Sequence, residues 1–171
     1  MGNLSIEIKA RCSDPARVRA VLKSRHAIFK GLDHQIDTYF RVPSGRLKLR
    51  EGKIENALIY YKRADQKGSK RCDSILYECP DRSALKKILT AALGVWVTVD
   101  KKRAIYFLRN TKFHIDQVKG LGGFVEIEVF GAGKTTRLRR QCDRYQKLLG
   151  IKKRDLVADS YSDQILKSGE R

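Results

Sequence analysis

The chain has 171 residues, 42% hydrophobic and 33% charged, with 37 Lys and Arg against 19 Asp and Glu for a formal net charge of +18. That length suffices for one buried core, the composition is that of a folded chain rather than a disordered one, and no apolar run nears the ~20 residues of a membrane helix. The charge calls for an anionic partner: nucleic acid, a membrane surface or a small polyphosphate.

The opening stretch, MGNLSIEIKARC, lacks the apolar segment of a secretory signal and passes directly into a strand pattern. Gly2 invites a myristoylation reading, but Ser5, Glu7 and Lys9 read as embedded in structure, so lipidation is not expected. LSIEIKARC is the first predicted strand. SDPARVRAVLKSR then predicts a helix, with Asp14 as cap, Pro15 at the first helical position, and Val18, Val21 and Leu22 as its apolar stripe.

Strands follow at HQIDTYFRV, GRLKLREG, NALIYYKRA and SKRCDSILYEC, most of them separated by Gly, Pro, Asn or Asp as in hairpins. The prolines, Pro15, Pro43 and Pro80, fall at segment edges. DRSALKKILTAALG predicts a second helix stopped by Gly94. VWVTVDKKRAIYFLR, TKFHIDQV and GGFVEIEV are further strands; TTRLRRQCDRYQKLLG is a third helix and SYSDQILK a short last one. Eight or nine strands without βαβ alternation predict an α+β fold, a single domain over residues 1–171. Its antiparallel sheet could close into an eight-stranded barrel with flanking helices and no exposed edge. Four cysteines, Cys12, Cys72, Cys79 and Cys142, show no C-x-x-C pairing and read as reduced thiols in a cytoplasmic protein.

Side chains alternate between the two faces of a strand. Glu7, Lys9 and Arg11 therefore oppose Ile6, Ile8 and Ala10, and Arg46, Lys48 and Arg50 oppose Leu47 and Leu49. Tyr60 and Lys62 share a face, with Ile59 and Tyr61 opposite; Lys101 and Arg103 share another. His114 and Asp116 oppose Phe113, Ile115 and Gln117, and in FVEIEV Glu126 and Glu128 oppose Val125, Ile127 and Val129. One such charged face is ordinarily solvated surface. Over six strands, with like charges in doublets at spacing two, the pattern fits a barrel whose charged faces point into the lumen and whose apolar faces lie under helices. Lys and Arg in that lumen suit a phosphate chain, and carboxylates among them suit a hard divalent cation bridging to it.

The stretches SIEIK (5–9), DTYF (37–40), GRLKLRE (45–51), YYKR (60–63), KKR (101–103) and HIDQVKGLGGFVEIE (114–128) resemble the triphosphate tunnel metalloenzymes, the CYTH superfamily. The resemblance runs over nearly the whole chain and is closest to the class IV adenylyl cyclase-like branch; the superfamily also includes thiamine triphosphatases. It implies an eight-stranded antiparallel tunnel that binds a triphosphate with Mg²⁺ or Mn²⁺. It implies Glu7, Glu126 and Glu128 as metal-side carboxylates, with Asp116 a fourth. Lys9, Lys48, Arg50, Lys62, Lys101 and Arg103 become phosphate contacts and Tyr39 a substrate contact. Lys9 or Lys62 would position or activate the attacking water, with Glu128 also in the catalytic group. One position departs: the first glutamate of E-x-E-x-K is Ser5 here, which implies a weaker metal site or one metal position fewer.

Other features are weaker. FGAGKTT (130–136) resembles a phosphate-binding P-loop, but the first glycine of that motif would fall on Glu128, and Gly131 and Gly133 read as a turn. His26, His34 and His114 show no metal-ligand spacing, though His114 shares the Asp116 face; Trp96, Tyr106 and Phe107 read as core. RLRR (137–140), IKKR (151–154) and KSRH (23–26) add basic charge outside the proposed lumen. The expected function is metal-dependent hydrolysis of a triphosphate: inorganic tripolyphosphate, thiamine triphosphate or a nucleoside triphosphate. The alternatives are cyclisation of ATP to cyclic AMP and pyrophosphate, or binding of polyphosphate or nucleic acid without chemistry. No membrane association is expected, and the protein is expected to be a monomer or homodimer.

Overall fold

The computed structural model describes residues 3–79, 81–132 and 134–169. The myristoylation reading at Gly2, Pro80, and Gly133 of the FGAGKTT loop lie outside the described residues. Eight strands, β1 (Asn3–Arg11), β2 (Ile28–Phe40), β3 (Arg46–Glu51), β4 (Ala57–Arg63), β5 (Lys70–Tyr77), β6 (Val95–Leu108), β7 (Thr111–Val118) and β8 (Gly122–Phe130), are accompanied by four α-helices. The helices are α1 (Pro15–Ser24), α2 (Arg82–Leu93), α3 (Thr135–Leu148) and α4 (Tyr161–Ser168). The strands close into one antiparallel barrel in the order β1-β5-β4-β3-β2-β6-β7-β8. β1 seals it by pairing with β5 on one side and β8 on the other.

The helix signals act as read. The Asp14 side chain accepts from the Arg17 amide at 2.9 Å, Asp81 caps α2 through the Ala84 amide at 3.1 Å, and Gly94 ends α2 at φ 71°. β2 differs from the reading: it starts at Ile28, not at His34. A register shift against β6 between Phe29 and Gly31 interrupts the alternation there, and Ile28, Phe29 and Leu32 are exposed. Gly31 sits at φ 135°, where a Cβ would lie 2.7 Å from Ile54 Cδ1, so the bulge requires glycine.

The apolar core lies mostly between barrel and helices. Ile6, Ile8, Val125, Ile127, Val129 and Phe113 face Val18 and Leu22 of α1 and Leu138, Cys142 and Leu149 beside them on and after α3. Phe40, Leu47 and Leu49 face Leu85, Leu89 and Leu93 of α2. Removing these wall residues from water, at about 1.5–3 kcal/mol for each fully buried aliphatic side chain, supplies the stability that a charged lumen cannot. A third cluster sits at one end of the barrel, where Tyr161 and Ile165 of α4 pack on Val97, Val99, Val118 and Phe124. Trp96 packs half-buried against that cluster, and Tyr106 belongs to the wall under α1 and α3. His34 pairs with Asp100 at 2.8 Å at an exposed site, and His26 occupies the turn after α1 at φ 57°. The cysteines are free thiols. Among the described residues no helix is long and apolar enough to cross a membrane.

Candidate active site

Alternation along each strand carries the charged faces inward. A cavity of about 140 Å³ inside the barrel is lined by Glu7 and Lys9 of β1, Lys48 and Arg50 of β3, Arg103 of β6, and Glu126 and Glu128 of β8. Asp37, Tyr39, Tyr61, Arg63, Lys112, His114 and Tyr161 complete the polar wall.

Two carboxylates organise most of the cations. Asp37, 1% exposed, accepts from Lys48 at 2.9 Å, Arg50 at 2.8 Å and Lys101 at 2.7 Å. Burial alone would raise its pKa, but Arg50, Lys101 and Lys48 hold it well below the ordinary carboxylate range. Glu126 pairs with Lys9 at 3.0 Å and Arg103 at 2.7 Å, and accepts from His114 Nδ1 at 3.2 Å. Against its burial, Lys9 and Arg103 hold Glu126 well below the carboxylate range. Burial, with Arg103 nearby, pushes His114 down to about 4. The ring is therefore neutral at pH 7, with Nδ1–H donating to Glu126 and the Nε2 lone pair free. Lys9 Nζ also stands 3.6 Å above the Tyr161 ring, so α4 helps to fix it.

The second glutamate pair is different. Glu7 and Glu128 are register partners across β1 and β8. Glu7 pairs with Arg63 at 2.6 Å. Glu128 accepts only from the Ser5 hydroxyl, at 3.0 Å, and is the one lining carboxylate without an ion pair among the described residues. Burial, and then the Glu7 charge, push its pKa up to about 7. A like-charged pair short of positive charge is chemically suited to a divalent cation, and two carboxylates supplemented by water and phosphate oxygens are a normal Mg²⁺ environment. Among the described residues, no three His, Cys, Asp or Glu side chains converge as a ready-made metal cage.

Several expected roles change. Lys62 is exposed on the outside of the barrel, level with Asp73 of β5; Arg63, the next residue, points into the lumen instead. The face assignment of β4 is thus reversed, with Ile59, Tyr61 and Arg63 inward. Asp116 is not free for a metal: Oδ1 accepts from Arg103 at 2.8 Å, and Oδ2 from Arg103 at 2.6 Å and from the Tyr161 hydroxyl at 2.8 Å. It orients Arg103. Glu126 is likewise engaged by Lys9 and Arg103, and Glu7 by Arg63, which leaves Glu128 as the lining carboxylate without an ion pair among the described residues. Lys101 is inside, locked on Asp37 at 1% exposure. Tyr39 lines the cavity, 3.4 Å from both the Tyr61 hydroxyl and Lys48 Nζ.

Periodicity missed the counterions Asp37 and Glu55. Glu55 accepts from Arg50 and Gln35 at 2.9 Å and pairs with Lys112. It is placed by buried Asp33, which accepts from the amides of Lys53, Ile54 and Glu55 at 2.7, 3.1 and 3.0 Å. The alternation Asp33, Gln35, Asp37, Tyr39 was a usable signal for β2. Tyr161, distant in sequence, carried none. Arg63 Nε and Nη2 and His114 Nε2 are buried without a hydrogen-bond partner. Buried polar atoms are normally paired with protein or water, so these are free to engage a molecule that enters the lumen.

Known proteins agree with this architecture. The CYTH domain profile matches residues 3–161. The PH1012 protein of Pyrococcus horikoshii superposes with a TM-score of 0.78 at 24% identity, covering 93% of this chain and 98% of that one. A candidate adenylate cyclase of Vibrio parahaemolyticus gives 0.77 at 20% identity, covering 98% and 99%. A candidate adenylyl cyclase of Hippeastrum, described as having a dominant triphosphatase activity, gives 0.62 at 14% identity, covering 98% and 97%. At these identities the likeness is one of fold. No curated protein is significantly similar to the chain.

Proposed function

The chain belongs to the CYTH domain family, and from that membership we propose that it hydrolyses a triphosphate held in the barrel. The observation that carries this reading is Arg63, whose buried Nε and Nη2 make no hydrogen bond, Nη2 standing 3.6 Å from Asp65, in a lumen that also presents Lys9, Lys48, Arg50 and Arg103. A triphosphate chain satisfies several such donors at once, and Arg forks hold phosphate oxygens bidentately.

In this reading Arg50, Arg63 and Arg103 fix the phosphates, and Lys48 adds a point charge. Asp37, Asp116 and Glu126 keep these cations in place before substrate arrives, so little reorganisation accompanies binding. Glu7 and Glu128 would hold Mg²⁺ or Mn²⁺, which when bound neutralises phosphate charge and favours deprotonation of water. Ser5 replaces the first motif carboxylate and orients Glu128 through its hydroxyl. Lys9, fixed between Glu126 and Tyr161, holds the attacking water in line with the terminal phosphorus. The Hippeastrum protein supports hydrolysis as the main reaction. The Vibrio protein favours the second reading, cyclisation of ATP through the 3′-hydroxyl at the α-phosphorus, which would use the same cations.

The test is a product assay with Mg²⁺ or Mn²⁺ on tripolyphosphate, thiamine triphosphate and ATP, resolving orthophosphate, pyrophosphate and cyclic AMP. Orthophosphate release supports hydrolysis; cyclic AMP with pyrophosphate replaces it by cyclisation; no turnover with any of them overturns both. The β4 assignment has its own test by calorimetry. Arg63→Ala is expected to weaken tripolyphosphate binding at least about tenfold, consistent with the loss of charged hydrogen bonds worth about 1.5–3 kcal/mol each. Lys62→Ala is expected to stay within about twofold. The reverse order would return Lys62 to the lumen.

A further inference from the structure

The basic stretches of α1 and α3 play no part in the barrel, yet the fold brings part of them together. Arg25 after α1, Arg109 in the β6–β7 turn, and Lys134, Arg137, Arg140 and Arg144 along α3 line one external groove of about 1320 Å³. Its described lining contains no Asp or Glu, and none of the six cations has an ion pair among the described residues. Arg137, Arg140 and Arg144 recur at helical spacing, about one cation per 5.4 Å turn, so they form a stripe along the groove. Leu108, Tyr145 and Leu148, each partly exposed, give the groove an apolar side above buried Leu138, and Asn110 and Gln141 add amides. Lys152, Lys153 and Arg154 are not part of it.

The groove begins at the rim of the barrel. Gln141 Nε2 donates to Asn110 Oδ1 at 2.7 Å, Asn110 Nδ2 donates to the Phe130 carbonyl at 2.5 Å, and Phe130 also lines the lumen. The two sites are therefore adjacent but built from different side chains.

We propose that this groove binds a single-stranded polynucleotide, with the α3 stripe on its phosphates and the apolar and amide side against its bases. A spaced row of cations beside apolar and aromatic surface is the arrangement that single-stranded nucleic acids use. Inorganic polyphosphate would engage the cations alone and leave the apolar side without a partner. This site is independent of the reaction in the lumen.

The experiment is fluorescence anisotropy of a 5′-hydroxyl single-stranded RNA oligonucleotide, titrated with the full chain between 50 and 200 mM salt. Three proteins are compared: wild type, the triple variant Arg137→Gln/Arg140→Gln/Arg144→Gln, and the lumen variant Lys48→Ala. The triple variant is expected to bind at least tenfold more weakly, with a log–log salt slope shallower by about 2, from ~0.7 per neutralised phosphate. Lys48→Ala is expected to bind RNA as wild type does, and the triple variant to keep wild-type tripolyphosphate turnover and thermal unfolding. If the triple variant proves unstable, Arg109→Gln and Lys134→Gln singly are expected to weaken RNA binding by a few-fold. Unchanged RNA affinity in the α3 variants overturns the proposal. So does loss of binding in Lys48→Ala, or displacement of the RNA by inorganic polyphosphate as effectively as by unlabelled RNA at equal phosphate concentration.

Discussion

Glu128→Gln is expected to lower triphosphate turnover at least about 100-fold while leaving tripolyphosphate affinity within about threefold. Glu128 stands beside Glu7 with only the Ser5 hydroxyl as a hydrogen-bond partner and with Lys112 acting on it only from the neighbouring strand, so no ion pair offsets its charge among the described residues. A 100-fold loss corresponds to about 2.7 kcal/mol of transition-state stabilisation, within the several kcal/mol that a bound metal contributes. Phosphate binding rests on other side chains, so kcat rather than KM carries the effect. Metal-free stability offers a readout apart from activity. The folded pKa of Glu128 is raised to about 7 from an ordinary value of 4.5. The unfolded chain thus releases this proton first, and stability falls as pH rises from about 4.5 through about 7. The cost is fully present above pH 7 and, discounted for partial solvent access, is on the order of 2 kcal/mol. Glu128→Gln should remove that slope, and Mg²⁺ should raise the melting temperature of wild type more than that of the variant. Wild-type turnover in Glu128→Gln would exclude this carboxylate from the reaction.

Asp37→Asn should produce the largest loss of stability. The substitution leaves Lys48, Arg50 and Lys101 packed around a neutral amide, with Glu55 still pairing Arg50. Removing one partner of a buried ion pair costs about 3–5 kcal/mol because the remaining charge stays desolvated. At about 2–4 °C per kcal/mol for a chain of this size, a loss of about 3 kcal/mol lowers the melting temperature by about 6–12 °C. Tripolyphosphate replaces the missing negative charge, so it should raise the melting temperature of Asp37→Asn more than that of wild type. A melting temperature within 2 °C or so of wild type would mean that the cations are solvated and Asp37 does not organise them.

The barrel was legible because four strands alternate cleanly. SIEIK, RLKLR, FHID and FVEIEV each separate charged from apolar residues at period two, and Glu7, Lys9, Lys48, Arg50, His114, Glu126 and Glu128 from those charged faces line the lumen. ALIYYKR misled because both of its faces mix apolar and polar groups: Leu58, Tyr60 and Lys62 read as amphipathic as readily as Ile59, Tyr61 and Arg63. Local periodicity cannot choose between two such faces; pairing with β3 and β5 does. The start of β2 was missed because the bulge at Gly31 breaks the period that identifies a strand.

By itself the sequence determined the antiparallel strand set, the helix caps and the sign of the charge on most inward faces. These follow from nearest neighbours along the chain: side-chain alternation, capping oxygens and glycine geometry. Only the tertiary structure decided which charges neutralise one another. Closure of the barrel sets Asp37 of β2 between β3 and β6, where it takes Lys48, Arg50 and Lys101. It sets Asp116 on Arg103, brings Tyr161 from α4 beneath Lys9, and leaves Glu128 opposite Glu7. Electrostatic partnership depends on cross-strand distance and burial, which register and closure impose. The strands themselves do not encode that distance, so two glutamates alike in sequence, Glu126 and Glu128, end with opposite pKa shifts.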